Sequence, residues 1–150
     1  MALYLKTVEE MLKIYARIRE AYSNYLSLAF EDGSFSPNEI NILIFLYNNP
    51  SIKTSKELTL TLGVSKGLIS RSVESLINKG LLIKEKDSDD RRSELLKLSE
   101  KAKPLIIRME KSKDAFAQNV IKDIDAADLA IYQKVQQQID QNLLASIKIK

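Results

Sequence analysis

Two short amphipathic segments, each opened by a helix-start signal and separated by a glycine-centred turn, constrain this chain more than any other feature. The first start, Thr54-Ser55-Lys56-Glu57, is a capping box, in which a hydroxyl takes the backbone N–H three residues on and the glutamate reaches back. It opens a short helix carrying Leu58 and Leu62, and Gly63 supplies the positive φ with which helices often stop. Ser65 follows as an N-cap, and a second helix runs to Gly80 with Leu68-Ile69, Val73 and Leu76-Ile77 facing inward. Two helices across such a turn have the spacing of a helix-turn-helix. Leu81–Lys86 and Glu94–Leu98 then read as short strands joined by the polar turn Asp87–Ser93. The order is helix, turn, helix, wing.

Long amphipathic helices lie on both sides. From about Leu5 to Ala29, Val8, Leu12, Tyr15, Ile18, Tyr22, Tyr25 and Ala29 recur at gaps of three and four, which puts them on one helix face. Asp32-Gly33 is a turn signal. Ser36-Pro37-Asn38-Glu39 is a further capping box with proline at the first helical position. Ile40, Leu43, Ile44 and Leu46-Tyr47 continue that helix until Asn48-Asn49-Pro50. A minor strand is expected near Ile52. Leu98-Ser99 starts another helix, with Leu105, Ile106, Met109, Phe116, Val120, Ile121 and Ile124 on its apolar side. Pro104 makes its first turn irregular or moves its start to about Lys103. Asp125-Ala126-Ala127-Asp128 caps a last helix carrying Leu129, Tyr132, Val135, Ile139, Leu143 and Ile147. The expected fold is mainly α with a small β-wing. A winged helix-turn-helix domain at 36–102 is flanked by N- and C-terminal dimerisation helices at 1–35 and 103–150. Apolar stripes on three long helices need cover, and a two-fold partner is the commonest cover, so a homodimer is expected.

Composition narrows the function. No cysteine and no histidine occur among the 150 residues, which excludes disulfides, thiol chemistry, the usual zinc sites and histidine-dependent catalysis. No cofactor or metal is implied, and no enzyme. Carboxylate pairs such as Asp125/Asp128 and Glu9/Glu10 sit in helix first turns or on polar faces, where they cap and solvate. No run approaches a membrane span, and the first residues lack a signal peptide's basic start and apolar core, so a cytoplasmic protein is expected. A net charge of +3 permits nucleic-acid binding without requiring it.

Residue identity says more than net charge. Ser65–Arg92 holds seven cations and five anions, so charge alone is a weak argument. In the second helix, small Ser65, Gly67 and Ser70 allow close approach to base edges, with Lys66 and Arg71 beside them. Arg71 can pair with a guanine or hold a phosphate. Arg91 and Arg92 are the wing's cations, among Asp87, Asp89 and Asp90. Bare carboxylates repel phosphates, so this turn suits DNA only where some are occupied internally; Asp90 bracing the wing through Arg92 or backbone would do that. Lys84 and Lys86 share a strand face that can touch the DNA backbone or simply face solvent. Thr54, Ser55 and Lys56 sit at a helix N-terminus, where free N–H groups favour phosphate. Tyr15, Tyr22 and Tyr47 are candidates for an effector pocket, against the plainer role of core or dimer interface.

The stretch TSKELTLTLGVSKGLISRSVESLINKGLLIKEKDSDDRRSELLKLSEKA resembles the multiple antibiotic resistance regulator (MarR) family of transcription factors. The likeness is densest from Thr54 to Ala102, and most specific in the wing: Lys79-Gly80-Leu81, Asp87 to Arg92, then Leu98-Ser99-Glu100-Lys101. The resemblance implies a triangular homodimer with interlocked terminal helices and a recognition helix from each subunit in a major groove. It implies that Asp90 braces the wing while Arg92 enters the adjacent minor groove. Family members commonly repress transcription and leave DNA on binding a small, often aromatic, anionic effector. The family's redox branch senses oxidants through cysteine, which this chain lacks. The expected function is a sequence-specific, dimeric regulator of double-stranded DNA on a pseudo-palindromic operator, a repressor released by ligand. A winged-helix module that docks onto proteins without reading DNA is the alternative.

Overall fold

The computed structural model describes residues 2–30 and 34–148. Among them the order is α1 (Ala2–Ala29), α2 (Pro37–Asn48), α3 (Ser55–Leu62), α4 (Lys66–Asn78), β1 (Leu82–Lys86), β2 (Glu94–Leu98), α5 (Ala102–Val120) and α6 (Ala126–Lys148). This is the mainly α fold with a small β-wing that the sequence predicts; the Asp32-Gly33 turn lies outside the described residues. The chain forms two compact units, Met1–Phe116 and Ala117–Lys150.

In the first unit α2 is the hub. Ile40, Ile42, Leu43, Ile44 and Leu46 are all buried, because α1, α4 and β2 cover different sides of it. A helix apolar most of the way round belongs inside. Around it pack Leu26 of α1, Leu58 of α3, Ile69, Val73 and Leu76 of α4, Leu82 and Leu96 of the strands, and Ile106 and Met109 of α5. Higher up α1, Val8, Leu12, Tyr15 and Ile18 are exposed, whereas Tyr22 and Tyr25 tilt against Phe116 at ring distances of 5.3 and 5.7 Å.

From α2 to the middle of α4, local structure follows the sequence closely, with two departures. Ser36 and Glu39 form the complete reciprocal box at the start of α2. At α3 the Thr54 hydroxyl accepts from the Glu57 N–H at 3.1 Å, but Glu57 accepts from the Lys53 N–H at 2.7 Å rather than closing on Thr54. The second departure is Leu68. It does not face inward: it is 40% exposed, while Ile69 and Val73 are buried. Leu68 stands about 100° round the helix from Ile69, at the edge of the stripe that α2 and α3 cover. Gly63 adopts φ +63 at the end of α3.

The other end of α4 is a Schellman stop. Gly80 (φ +74) donates to the Ile77 carbonyl and Leu81 to that of Leu76, both at 2.9 Å, while Leu76 and Leu81 are buried together. The next carbonyls are taken by the segment leading into α5. Ser99 Oγ donates to Gly80 at 2.7 Å, the Ser99 N–H to Leu81 at 3.0 Å, and Lys101 Nζ to Lys79 at 3.2 Å. Ser99 therefore ties the wing's base to α4 instead of capping α5, which begins at Ala102 with Pro104 in its first turn. Proline is harmless there because first-turn N–H groups have no helical partner.

β1 and β2 pair antiparallel with Leu82 opposite Leu98, Lys84 opposite Leu96 and Lys86 opposite Glu94. The strand expected near Ile52 is reduced to one backbone bond, from the Leu96 N–H to the Lys53 carbonyl at 2.7 Å. In the second unit α5 ends at Val120, so Ile121 lies in the turn before α6 and Ile124 beyond it, not on the α5 face. Val120, Ile121, Ile124, Ile131, Tyr132, Val135, Leu143 and Ile147 are all exposed.

One buried ion pair fixes α4 against α2. Glu39 is almost fully buried and accepts from Lys79 Nζ at 2.8 Å, from the Ser36 N–H at 2.7 Å and from the Ser75 hydroxyl. Lys79 Nζ also donates to the Ser34 carbonyl and lies 4.7 Å from the centre of the Phe35 ring. Burial alone pushes the Glu39 carboxyl up, but the bonds from Lys79, Ser36 and Ser75 together outweigh it and hold the group below its ordinary value.

Candidate nucleic-acid interface

α4 presents its opening turns to solvent. Ser65 is the N-cap and its Oγ accepts the Leu68 N–H at 3.3 Å. Lys66, Gly67, Ser70 and Arg71 are exposed, because the inward side is occupied by Ile69, Ser72, Val73 and Leu76. The Cβ position of Gly67 has open space around it, so the backbone there is bare to an approaching surface.

Two of the wing's three aspartates, Asp87 and Asp90, are turned to structural use. Asp87 accepts from the Asp89 N–H at 3.0 Å. Asp90 accepts from the Arg92 N–H at 3.0 Å and from Ser93 Oγ at 3.1 Å, while the Ser93 N–H donates to the Asp90 carbonyl. The Asp87 N–H closes the turn on the Ser93 carbonyl at 3.0 Å. These are Asx-type bonds, which fix a tight turn locally. Arg91 and Arg92 stand exposed on it.

Between the wing and the start of α3 runs a groove of about 600 Å³ lined by Thr54, Ser55, Lys56, Lys86, Arg91, Arg92, Ser93 and Glu94. Six residues picked from sequence, some 30 positions or more apart in the chain, meet there. Thr54 spends its hydroxyl on the Glu57 N–H, and Lys56 is exposed. Lys84 is outside this groove and pairs with Glu94 at 3.2 Å, half exposed on both sides. Ser65, Lys66, Gly67, Ser70 and Arg71 form a separate exposed face on α4.

The three tyrosines do not share a site. Tyr15 and Tyr47 are exposed. Tyr22 lines a cleft of about 340 Å³ with Asn41, Ile44, Phe45, Asn48, Asn49, Leu62 and Lys113. Burial first, and the nearby Glu110 charge second, push its hydroxyl above its ordinary 10.0, so it is a proton donor at neutral pH.

Sequence reasoning missed two structural features. Leu68 was recoverable from its helical angle, which puts it at the margin of the buried stripe. The Glu39–Lys79 pair was not, since nothing local relates residues 40 positions apart.

Residues 34–93 match the family model described as MarR family. The fold is also that of solved regulators. A MarR transcriptional regulator from Methanosarcina mazei Go1 aligns with a TM-score of 0.79 at 22% identity, covering 91% of this chain and 99% of that one. A putative MarR family transcriptional regulator from Listeria monocytogenes, complexed with 26mer DNA, aligns at 0.79 and 18% identity over 88% of this chain and 87% of that one. BpsR of Bordetella bronchiseptica, whose DNA binding is regulated by 6-hydroxynicotinic acid, aligns at 0.70 and 12% identity over 85% and 91%. Among the described residues no helix is long and apolar enough to cross a membrane, and no cluster of acidic side chains could hold a metal ion. The winged-helix segment of residues 34–93 is thus similar to the MarR family, and the fold of the chain to that of solved regulators.

Proposed function

We propose that the protein is a sequence-specific transcriptional regulator that binds double-stranded DNA as a homodimer. The observation that carries this reading is the meeting of the α3 start and the wing in one basic groove, beside the exposed opening turns of α4. In the proposed complex α4 enters a major groove, about 12 Å wide, which admits a helix. Ser65, Gly67 and Ser70 approach base edges; Lys66 and Arg71 hold bases or phosphates. Thr54, Ser55 and Lys56 offer N–H groups and a cation to a phosphate at the α3 N-terminus. Arg91 and Arg92 reach the neighbouring minor groove, with Asp90 bracing the turn, and Lys86 and Lys84 flank the backbone. DNA in the Listeria complex supports this reading by likeness of fold.

The exposed apolar residues of α1 and α6 support a second copy of the chain as their cover, with 1–35 and 103–150 forming the dimer and 36–102 binding DNA. A two-fold dimer calls for a pseudo-palindromic operator with half-sites about one turn, roughly 10 bp, apart. The regulator acts as a repressor released by a small aromatic or anionic effector. The Tyr22 cleft, with its neutral hydroxyl, amides and Lys113, has suitable chemistry, and the ligand-regulated BpsR supports such control by analogy. Tyr15 and Tyr47 belong to that effector proposal only if dimerisation brings them near.

The test is a gel shift against the gene's own upstream region at two salt concentrations, with light scattering for the dimer. Saturable binding that survives competitor DNA is expected. Binding with no sequence preference and a steep salt dependence would point to a non-specific role, and none at low salt to a protein-docking module.

A further inference from the structure

Leu68 is an apolar side chain where the rest of the exposed face is polar. It occupies the third position of α4, 40% exposed, among Lys66, Gly67, Ser70 and Arg71. Its backbone N–H is already engaged by Ser65 Oγ at 3.3 Å, so the side chain alone is available to a partner. A single exposed leucine is common on protein surfaces and by itself means little. Position gives this one meaning. It lies about 100° round the helix from Gly67 and about 60° from Arg71. The bare backbone at Gly67 lets the helix sit close to a surface, and Leu68 and Arg71 then flank that point of approach on the same side.

Resting on the DNA-binding reading above, we propose that Leu68 is a specificity-determining residue, packing on the 5-methyl group of a thymine in the major groove. The methyl is the one projecting apolar group that base pairs present there; cytosine has only a C5–H at that position beside its polar amino group, and adenine and guanine present polar N7 and exocyclic groups. Leucine cannot exchange hydrogen bonds with those edges, so any base other than thymine leaves a polar group desolvated against the side chain. Leu68 therefore adds a preference that none of the serines, lysine or arginine on this face supplies. It selects by shape and burial, while Arg71 fixes the register.

The experiment is methyl deletion. An operator recovered by in vitro selection is remade with each thymine replaced in turn by deoxyuridine, which lacks only the 5-methyl group, and the affinities of wild-type, Leu68→Ala and Leu68→Met proteins are compared. With wild type, one thymine per half-site should show a loss of about fourfold, or about fifteenfold when both half-sites are changed, as expected for losing one buried methyl at each. Leu68→Ala should flatten that dependence to less than about twofold, and repeated selection with this variant should relax the same position. Leu68→Met, which keeps an apolar side chain at this position, should retain the methyl effect. The inference is overturned if no deoxyuridine lowers wild-type affinity, or if Leu68→Ala keeps the full effect. A wild-type protein that selects no DNA at all would instead remove the DNA-binding reading, and this inference with it.

Discussion

Replacing Lys79 by methionine should destabilise the winged domain in a way that depends on pH. The substitution leaves Glu39, whose side chain is 6% exposed, without the cation 2.8 Å from its Oε1. Breaking a fully buried pair costs about 3–5 kcal/mol. Two facts reduce that figure. The Lys79 side chain is 34% exposed, so water already screens its end of the pair. Glu39 also keeps the Ser36 N–H and the Ser75 hydroxyl. The expected loss is then about 1.5–3 kcal/mol, the range for hydrogen bonds to a charged group. Because the folded state holds the Glu39 carboxyl below its ordinary 4.5, its contribution is present above that value and is lost as pH falls through the lower folded value. The gap between Lys79→Met and wild type should therefore be full at neutral pH and shrink at acid pH, once Glu39 is protonated and no longer needs a cation. Urea unfolding at both pH values, read as midpoints at unchanged m, measures this. A loss below about 0.5 kcal/mol at neutral pH, typical of an ordinary surface change, would contradict the role given to this pair, as would a gap that does not vary with pH. Glu39→Gln in the same background completes a double-mutant cycle. An amide cannot accept at both ends, so the coupling between the two residues should exceed about 0.5 kcal/mol.

Three further outcomes follow from the wing and the α4 terminus. Arg92→Ala should weaken DNA binding and flatten the salt dependence by about two units per dimer, because each subunit then brings one cation fewer to the DNA, with the melting temperature nearly unchanged; a large fall in melting temperature would make Arg92 a structural residue. Asp90→Ala removes a negative charge from the turn proposed to face DNA, so electrostatics alone would tighten binding. Loss of the bonds from the Arg92 N–H and Ser93 Oγ should weaken it instead, and Asp90→Asn should preserve most of the affinity. Gly80→Ala meets only Lys101 Nζ at 3.9 Å, so its cost should be the backbone penalty of φ +74, about 1–2 kcal/mol by thermal melting.

How far the sequence could be read depended on the range of the interactions. The starts of α2, α3 and α4, the stops at Gly63 and Gly80, and the extent of β2 were all legible, because caps and left-handed turns are set by residues within four positions of one another. The wing's bracing by Asp90 is equally local, spanning two and three residues. Helical periodicity placed Ile69, Val73 and Leu76 inward but carried Leu68 with them, since a wheel does not say how wide a stripe its neighbours cover. It likewise joined Ile121 and Ile124 to α5, because apolar spacing does not register where a helix breaks.

Local signals in the chain settle which segments are helix and strand, which polar residues lie in the turns, and which residue types could meet DNA. Which of those residues share a surface is settled only by packing. Thr54 and Lys56 come to face Arg91 and Arg92 because β2 hangs from Lys53 by one backbone bond while α4 is locked to α2 through Glu39 and Lys79. Caps and periodicities measure neighbours along the chain. A groove is built from distances across it, and those are fixed by how α2 buries most of its circumference.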